Sequence, residues 1–279
     1  MPQGDFMSDL VTINKADGVA DVRLNRPDKY NALSGEMFEA IIAAGESLLE
    51  STDVRVVVLS GNGRGFCAGL DFSSFQGMAG NSERQPRPSA TANLFKRSAD
   101  QPENRAQRPA MIWKRLPVPT IAAVHGVAYG GGCQIALGAD IRIAAPDAKM
   151  SVMEIKWGLI PDMSLTQTLR DLVPLDVAKE LTFSGRVLSG TEAHALGLVT
   201  RVADDPLAAA MSLAREIASK SPDAIRAAKR LFEVAWHADP ATGLELEQSL
   251  QGSLIGTPNQ IEAVKANFEK RPPAFRNPA

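Results

Sequence analysis

The sequence predicts an α/β core followed by a helical C-terminal region, on three observations. Short β-branched runs alternate with helical patterns up to about residue 204. Beyond it the apolar residues fall only at helical spacing. The chain has 279 residues, 44% of them apolar, enough for a sizeable buried core. On this reading residues 1–204 are the core and 205–279 a helical unit.

The elements follow in order. Residues 9–14 and 19–24 read as strands joined through Ala16-Asp17-Gly18, a hairpin signal. Arg26-Pro27-Asp28 breaks the pattern, and Ser34 then offers an N-cap for a helix to about Glu50. Met37, Ile41, Ala44 and Leu48 share one face of that helix. The run 54–59 (VRVVVL) predicts a buried parallel strand. Two further strands are expected at 120–124 and 141–144, with a helix at 132–138 between them. Past residue 204, helices are expected over 206–219, 222–237, 242–254 and 258–270. Ser221-Pro222 and Thr257-Pro258 are strong starts, an N-cap followed by proline in the first turn. The residue pattern reads these helices equally as surface helices or as a subunit-contact module.

Segment 75–112 has no periodicity and is rich in Gln, Pro, Arg, Ser and Asn. Between 83 and 109 it carries Arg84, Arg87, Lys96, Arg97, Arg105 and Arg108 against Glu83, Asp100 and Glu103. Loops this long are usually functional, so a mobile flap near a ligand is expected.

Composition excludes several classes. Thirty Lys+Arg against 32 Asp+Glu leave a net charge of −2, which argues against a nucleic-acid partner. No apolar run is long enough to span a membrane. The polar, acidic start of the chain resembles neither a signal nor a transit peptide, so a cytoplasmic protein is expected. Cys67 and Cys133 make no disulfide scaffold, and His125, His194 and His237 make no metal constellation. Aromatics are only 5%, so the core must bring backbones close together.

Three places look chemical. In 61–71 (GNGRGFCAGLD), glycines directly after a strand can leave N–H groups aimed at a ligand, although the spacing fails the dinucleotide pattern at Phe66. Gly130-Gly131-Gly132 opens a helix, where N–H donors and the helix dipole suit a phosphate or an enolate oxygen, or where close packing admits no side chain. Glu154 and Asp162 lie eight residues apart among apolar neighbours, surroundings that raise a carboxyl pKa. Asp162 is equally suited to cap a helix running on through Leu165 and Leu169.

Taken together these marks resemble the crotonase, or enoyl-CoA hydratase/isomerase, superfamily from Val11 to about Phe275. The matching stretches include Arg26-Pro27, Asn31-Ala32-Leu33, the hexapeptide 66–71, the run 121–126 leading to the glycine triplet, Asp140-Ile141-Arg142, Thr166-Gln167, Gly185-Arg186, 193–199 and Glu269-Lys270-Arg271. The resemblance implies a spiral of repeated strand–strand–helix turns, then helices that build homotrimers or hexamers. It also implies an acyl-CoA thioester substrate, with coenzyme A as part of that substrate and no other cofactor or metal. An oxyanion hole is implied at the N–H groups of Ala68 and Gly131. Contacts to the substrate are expected from Gln134, Asp71 and Lys270, the lysine reaching CoA phosphates from a neighbouring subunit.

The reaction is narrower. The family's hydratases hold water between two glutamates, and Gln134 stands where one of them would be. Gln134 cannot titrate, whereas Glu154 is retained. The pair Glu154 and Asp162 resembles the family's dienoyl-CoA isomerases, so a double-bond isomerase is expected ahead of a hydratase or a non-catalytic acyl-CoA binder. A dehalogenase would need an activating histidine, and His125 is expected to be packed instead. Trp157, Met153, Met163 and Leu165 are candidates for an acyl tunnel or for core packing.

Overall fold

The computed structural model describes residues 9–71, 95–97 and 101–278. Strands β1 (Val11–Ala16) and β2 (Val19–Leu24) form the hairpin. Asp17 and Gly18 both have positive φ, 51° and 78°, as a two-residue turn of this hand demands. β2 then pairs in parallel with β3 (Val56–Gly61), followed by β4 (Thr120–Val124), β6 (Ile141–Ala144) and β9 (Arg201–Val202). The large sheet therefore has the order β1-β2-β3-β4-β6-β9. A smaller sheet, β5-β7-β8, is built from β5 (Val127–Tyr129), β7 (Lys149–Ser151) and β8 (Leu188–Ser189).

Successive turns of chain feed both sheets. β4 joins the large sheet and β5 the small one, and β6 and β7 repeat the step. Between β4 and β5 the chain swings at Gly126 (φ 57°), where a Cβ would lie only 2.0 Å from Arg64 O.

Ten α-helices complete the described fold. α1 (Gly35–Leu49) starts at Ser34, whose hydroxyl accepts from Met37 N–H as expected of an N-cap. α2 (Arg108–Arg115) packs on α1, with Ile112 against Gly45. α3 (Gly131–Leu137) follows the glycine triplet. α4 (Leu165–Thr168), α5 (Leu175–Ser184) and α6 (Gly190–Leu196) lead to α7 (Pro206–Ala218), α8 (Pro222–Ala235), α9 (Pro240–Leu254) and α10 (Pro258–Glu269). Ser221 and Thr257 cap α8 and α10 as the sequence predicts.

The two-residue period of the strands divides the core. Ala20, Val22, Val57, Leu59, Ala122 and Val124 face the cluster that holds Met37, Ile41, Ile112 and Trp113. Val19, Val56, Val58, Ile121, Ala123 and Ile143 face the other way, onto Ala210, Ala214 and Ala218 of α7. An alanine stripe lets the α7 backbone come close to the sheet, which explains how a core with so few aromatics is filled. By packing, α7 belongs with the core, although the sequence grouped it with the C-terminal helices.

Helices α8 to α10 stand off from this body. α9 has no buried residue, and Lys229 docks α8 through Asp140 Oδ2 (2.8 Å) and the carbonyls of Trp113 and Val118. Arg55 ties the C-terminal tail down at Phe275 O and Asn277 Oδ1. Most of the expected flap, including Arg84 and Arg87, lies outside the described residues. Of its remaining cations, Arg105 and Arg108 pair with Glu39 and Glu46 beside α1. Residues 108–112 begin a helix rather than extending the loop.

Candidate active site

The site forms where α3 begins, against segment 66–71 and the loop after β7. Gly130 (φ 50°, ψ −120°) turns β5 into α3. Gly131 is the first residue of the helix, so its N–H has no intrahelical acceptor, and it finds none elsewhere among the described residues.

Segment 66–71 supplies a second donor. Cys67 bridges Ala128 of β5, whereas Leu70 bridges Leu33. Between these two pairings sits Gly69 with φ 83°, a conformation that side chains resist. Leu33 N–H donates to Gly69 O (2.8 Å) and Leu33 O accepts from Asp71 N–H (3.0 Å). In that parallel pattern the N–H of Leu70 points away from Leu33. It has no acceptor among the described residues. A Cβ on Gly69 would lie 2.5 Å from Tyr129 O and 3.6 Å from Gly131 N, so segment 66–71 closely approaches the chain carrying Gly131.

Ala68, the position implied by the family resemblance, is committed elsewhere. Its N–H donates to Tyr30 O at 2.9 Å. The donor that remains open on this segment is two residues later, at Leu70. The sequence carried a signal for it: a glycine between two pairing positions marks where the chain changes partner and rotates its N–H groups.

Glu154 opens a short 3-10 turn, Glu154–Trp157, just after β7. Its carboxylate lies over Gly130, with Oε1 3.3 Å from where a Cβ would stand. Oε1 accepts from Gln134 Nε2 at 2.6 Å, while Oε2 is buried with no partner among the described residues. Burial pushes the Glu154 carboxyl above the ordinary range. Hydrogen bonds from its own backbone and from Gln134 oppose that shift, and the charge of Asp162 adds to it.

Gln134 is wholly buried, and its Oε1 accepts from Met163 N–H at 2.9 Å. Met163 Sδ and Leu33 Cδ1 lie 2.6 Å and 2.9 Å from the Cβ position of Gly131, so they wall the space before that donor. Among the expected tunnel residues Met163 is the one placed there. Leu165 is in the main core, and Trp157 is exposed beneath Lys156.

Asp162 is exposed at its outer side, and partial burial pushes its carboxyl up. It caps no helix. Ser164 takes the N-cap position of α4 with φ 72° and no side-chain cap, and α4 is a single turn. The charge of Asp162 adds to the upward push on the Glu154 carboxyl.

Of the other expected substrate contacts, Asp71 is held by protein and Lys270 lies open on the surface. Asp71 pairs with Arg26 Nη1 at 2.5 Å, and Arg26 also donates to Ala32 O, so this carboxylate braces the 26–33 loop against segment 66–71. Lys270, in the left-handed C-cap of α10, is exposed and makes no ion pair among the described residues. His125 is half-buried, with Nε2 3.0 Å from Gly63 O in the 61–65 turn. Burial pushes the thiols of Cys67 and Cys133 up to about 12, which leaves neither as a nucleophile. Chemically, the arrangement offers two open N–H donors, at Leu70 and Gly131, on closely approaching segments, and one buried base whose second oxygen has no partner among the described residues.

Known proteins share this architecture. The model of the enoyl-CoA hydratase/isomerase family matches residues 14–278. Mouse mitochondrial methylglutaconyl-CoA hydratase is 35% identical over 266 residues, covering 93% of this chain and 80% of the relative. Human mitochondrial enoyl-CoA hydratase domain-containing protein 2 is 34% identical over 268 residues, covering 92% and 85%. Among solved structures, an enoyl-CoA hydratase from Bacillus anthracis superposes with a TM-score of 0.83 at 32% identity, covering 95% of this chain and 98% of that one. One from Mycobacterium smegmatis gives 0.82 at 30%, covering 96% and 99%.

Proposed function

Because this chain belongs to the enoyl-CoA hydratase/isomerase family, we propose that it shifts a double bond in an enoyl- or dienoyl-CoA thioester. Glu154 Oε2 removes a proton from the carbon beside the thioester. The negative charge that develops on the carbonyl oxygen rests between the N–H groups of Leu70 and Gly131. The proton returns further along the conjugated chain, from Glu154 or from Asp162. Two preorganised donors in a water-poor cleft lower the barrier by about 3 kcal/mol each.

The observation that carries this reading is the state of Gln134. It does not titrate, it is buried, and both ends of its amide are committed to protein atoms. A water addition shared between two carboxylates lacks its second carboxylate here, whereas proton transfer along one acyl chain needs only Glu154 and an acceptor position. Hydration is the second reading, and the names of the relatives favour it.

The two readings separate in one assay. With a 3-enoyl-CoA, isomerisation raises the conjugated-enoyl absorbance, and Glu154→Gln lowers that rate by about 10²- to 10⁴-fold. With crotonyl-CoA, hydration lowers the absorbance. Loss of absorbance from crotonyl-CoA with none gained from 3-enoyl- or 3,5-dienoyl-CoA would replace isomerase by hydratase.

The assembly belongs to the same proposal. A homotrimer, or a pair of trimers, would cover the exposed Phe232, Trp236, Leu244, Val264 and Phe268, and would let Lys270 reach a neighbour's CoA phosphates.

A further inference from the structure

We propose that Gln134 is a positioning residue, which holds Glu154 with Oε2 turned toward the substrate and locks the Met163 wall to the same helix turn. This rests on the reading of Glu154 as the base.

The geometry that supports it begins on α3. Gly131 and Gln134 lie three residues apart, hence on one face of the helix. The turn that presents the Gly131 N–H therefore also presents the Gln134 amide. Gln134 Nε2 donates to Glu154 Oε1 at 2.6 Å, and Gln134 Oε1 accepts from Met163 N–H at 2.9 Å. Glu154 has one oxygen fixed and the other buried without a partner among the described residues. The unpartnered oxygen is the only one left to receive a proton. A carboxylate with both oxygens unbound could rotate and lose that aim.

The amide is suited to this in a way its neighbours in chemistry are not. A glutamate in its place would set two carboxyls within hydrogen-bonding distance, and one would have to stay protonated. An apolar residue would leave both Glu154 Oε1 and Met163 N–H buried and unpaired. Among the described residues, the titratable group that acts on Glu154 is Asp162, from the loop after the 3-10 turn, and Glu154 in turn acts on the Cys133 thiol of α3. That thiol, pushed up to about 12, stays neutral through the working range, so the acid limb of the rate reports Glu154 and Asp162.

The experiment compares Gln134→Met and Gln134→Glu with the wild-type protein, after their oligomeric state and melting are checked. Two rates are followed against pH: turnover of a 3-enoyl-CoA, and exchange of the α-protons of a saturated acyl-CoA with D2O. The second rate needs only base and oxyanion donors. For Gln134→Met we expect kcat and proton exchange to fall together, by about 10²-fold, with KM within about threefold. The acid limb moves to higher pH, because a bond favouring the ionised carboxylate is gone. For Gln134→Glu the activity is confined to a bell in pH, where the pair keeps one proton, Glu154 is ionised and the new carboxyl donates like the amide. It falls at lower pH as Glu154 is protonated and at higher pH as both groups ionise.

Wild-type pH profiles and kcat in both variants would overturn the positioning role. So would a change confined to KM, which would mark Gln134 as a binding residue. If wild type itself neither exchanges α-protons nor turns over any enoyl-CoA, the reading of Glu154 as a base fails instead. If Gln134→Met does not fold, Gln134→Glu decides alone through the shape of its pH profile.

Discussion

At the residue scale, Glu154 is placed where stability and activity oppose each other. Its surroundings raise the carboxyl pKa, so the folded protein binds that proton more tightly than the unfolded chain does. By linkage this contribution to stability is fully present below the ordinary carboxylate pKa and is lost as pH rises through the raised value. Glu154→Gln stays neutral at every pH and keeps the shape of the side chain. It should therefore melt above wild type at pH 7–8, with the gap closing toward pH 4, while turnover falls. Thermal melts across that range check this, and a lower melting point for the variant at pH 8 would contradict it. Gly69 is fixed by a different constraint. A methyl there meets Tyr129 O at 2.5 Å in a backbone region that disfavours side chains.

At the element scale, α3 is a single short helix with three tasks. Its first N–H is a donor, its fourth residue holds the base, and Gly132 lets it pack on Cys67, whose O and Sγ would stand 2.4 Å and 2.8 Å from a Cβ. The element most dependent on one side chain is α8. Lys229 is buried and gives its ammonium to Asp140 and two carbonyls, so truncating it takes the counter-charge from Asp140, which keeps the Thr120 N–H, and a donor from the carbonyls of Trp113 and Val118. Lys229→Met should cost about 3 kcal/mol in chemical denaturation. The loss of amide protection should concentrate in α8 and spare α7, whose alanine stripe is packed independently on the sheet. Protection lost equally in both helices would show that they unfold as one unit.

At the scale of the whole molecule, the exposed apolar side chains are unevenly placed. One group lies on the 3-10 turn that carries Glu154 (Ile155, Trp157), just after it (Ile160) and on α5 (Leu175, Phe183). The other follows α8 to α10, where Phe232 and Trp236 stack edge to face with centroids 5.9 Å apart. Exposed apolar surfaces of this kind mark candidate contact sites, and the proposed trimer assigns the second group to its interface. The double variant Phe232→Asp/Trp236→Glu should shift the sedimentation coefficient from a trimer or larger to a monomer. The same coefficient for wild type and variant would remove these side chains from the interface.

The sequence by itself determined the elements and the family. The hairpin at Asp17-Gly18, the caps at Ser34, Ser221 and Thr257, the buried run in β3 and the glycine triplet before α3 are local signals, set by residues within one turn or strand of each other. It also singled out Glu154, because a carboxylate among apolar residues is visible in one dimension. The tertiary structure alone decided which donors are open and what Gln134 does. Whether Ala68 or Leu70 presents an N–H depends on Tyr30 and Leu33, nearly forty residues away along the chain, and on the rotation at Gly69. Whether Gln134 meets substrate or protein depends on Glu154 and Met163, brought together only when β5 and β7 pair. Hydrogen-bond partners across such separations are chosen by the packing of whole segments, and no local pattern records them.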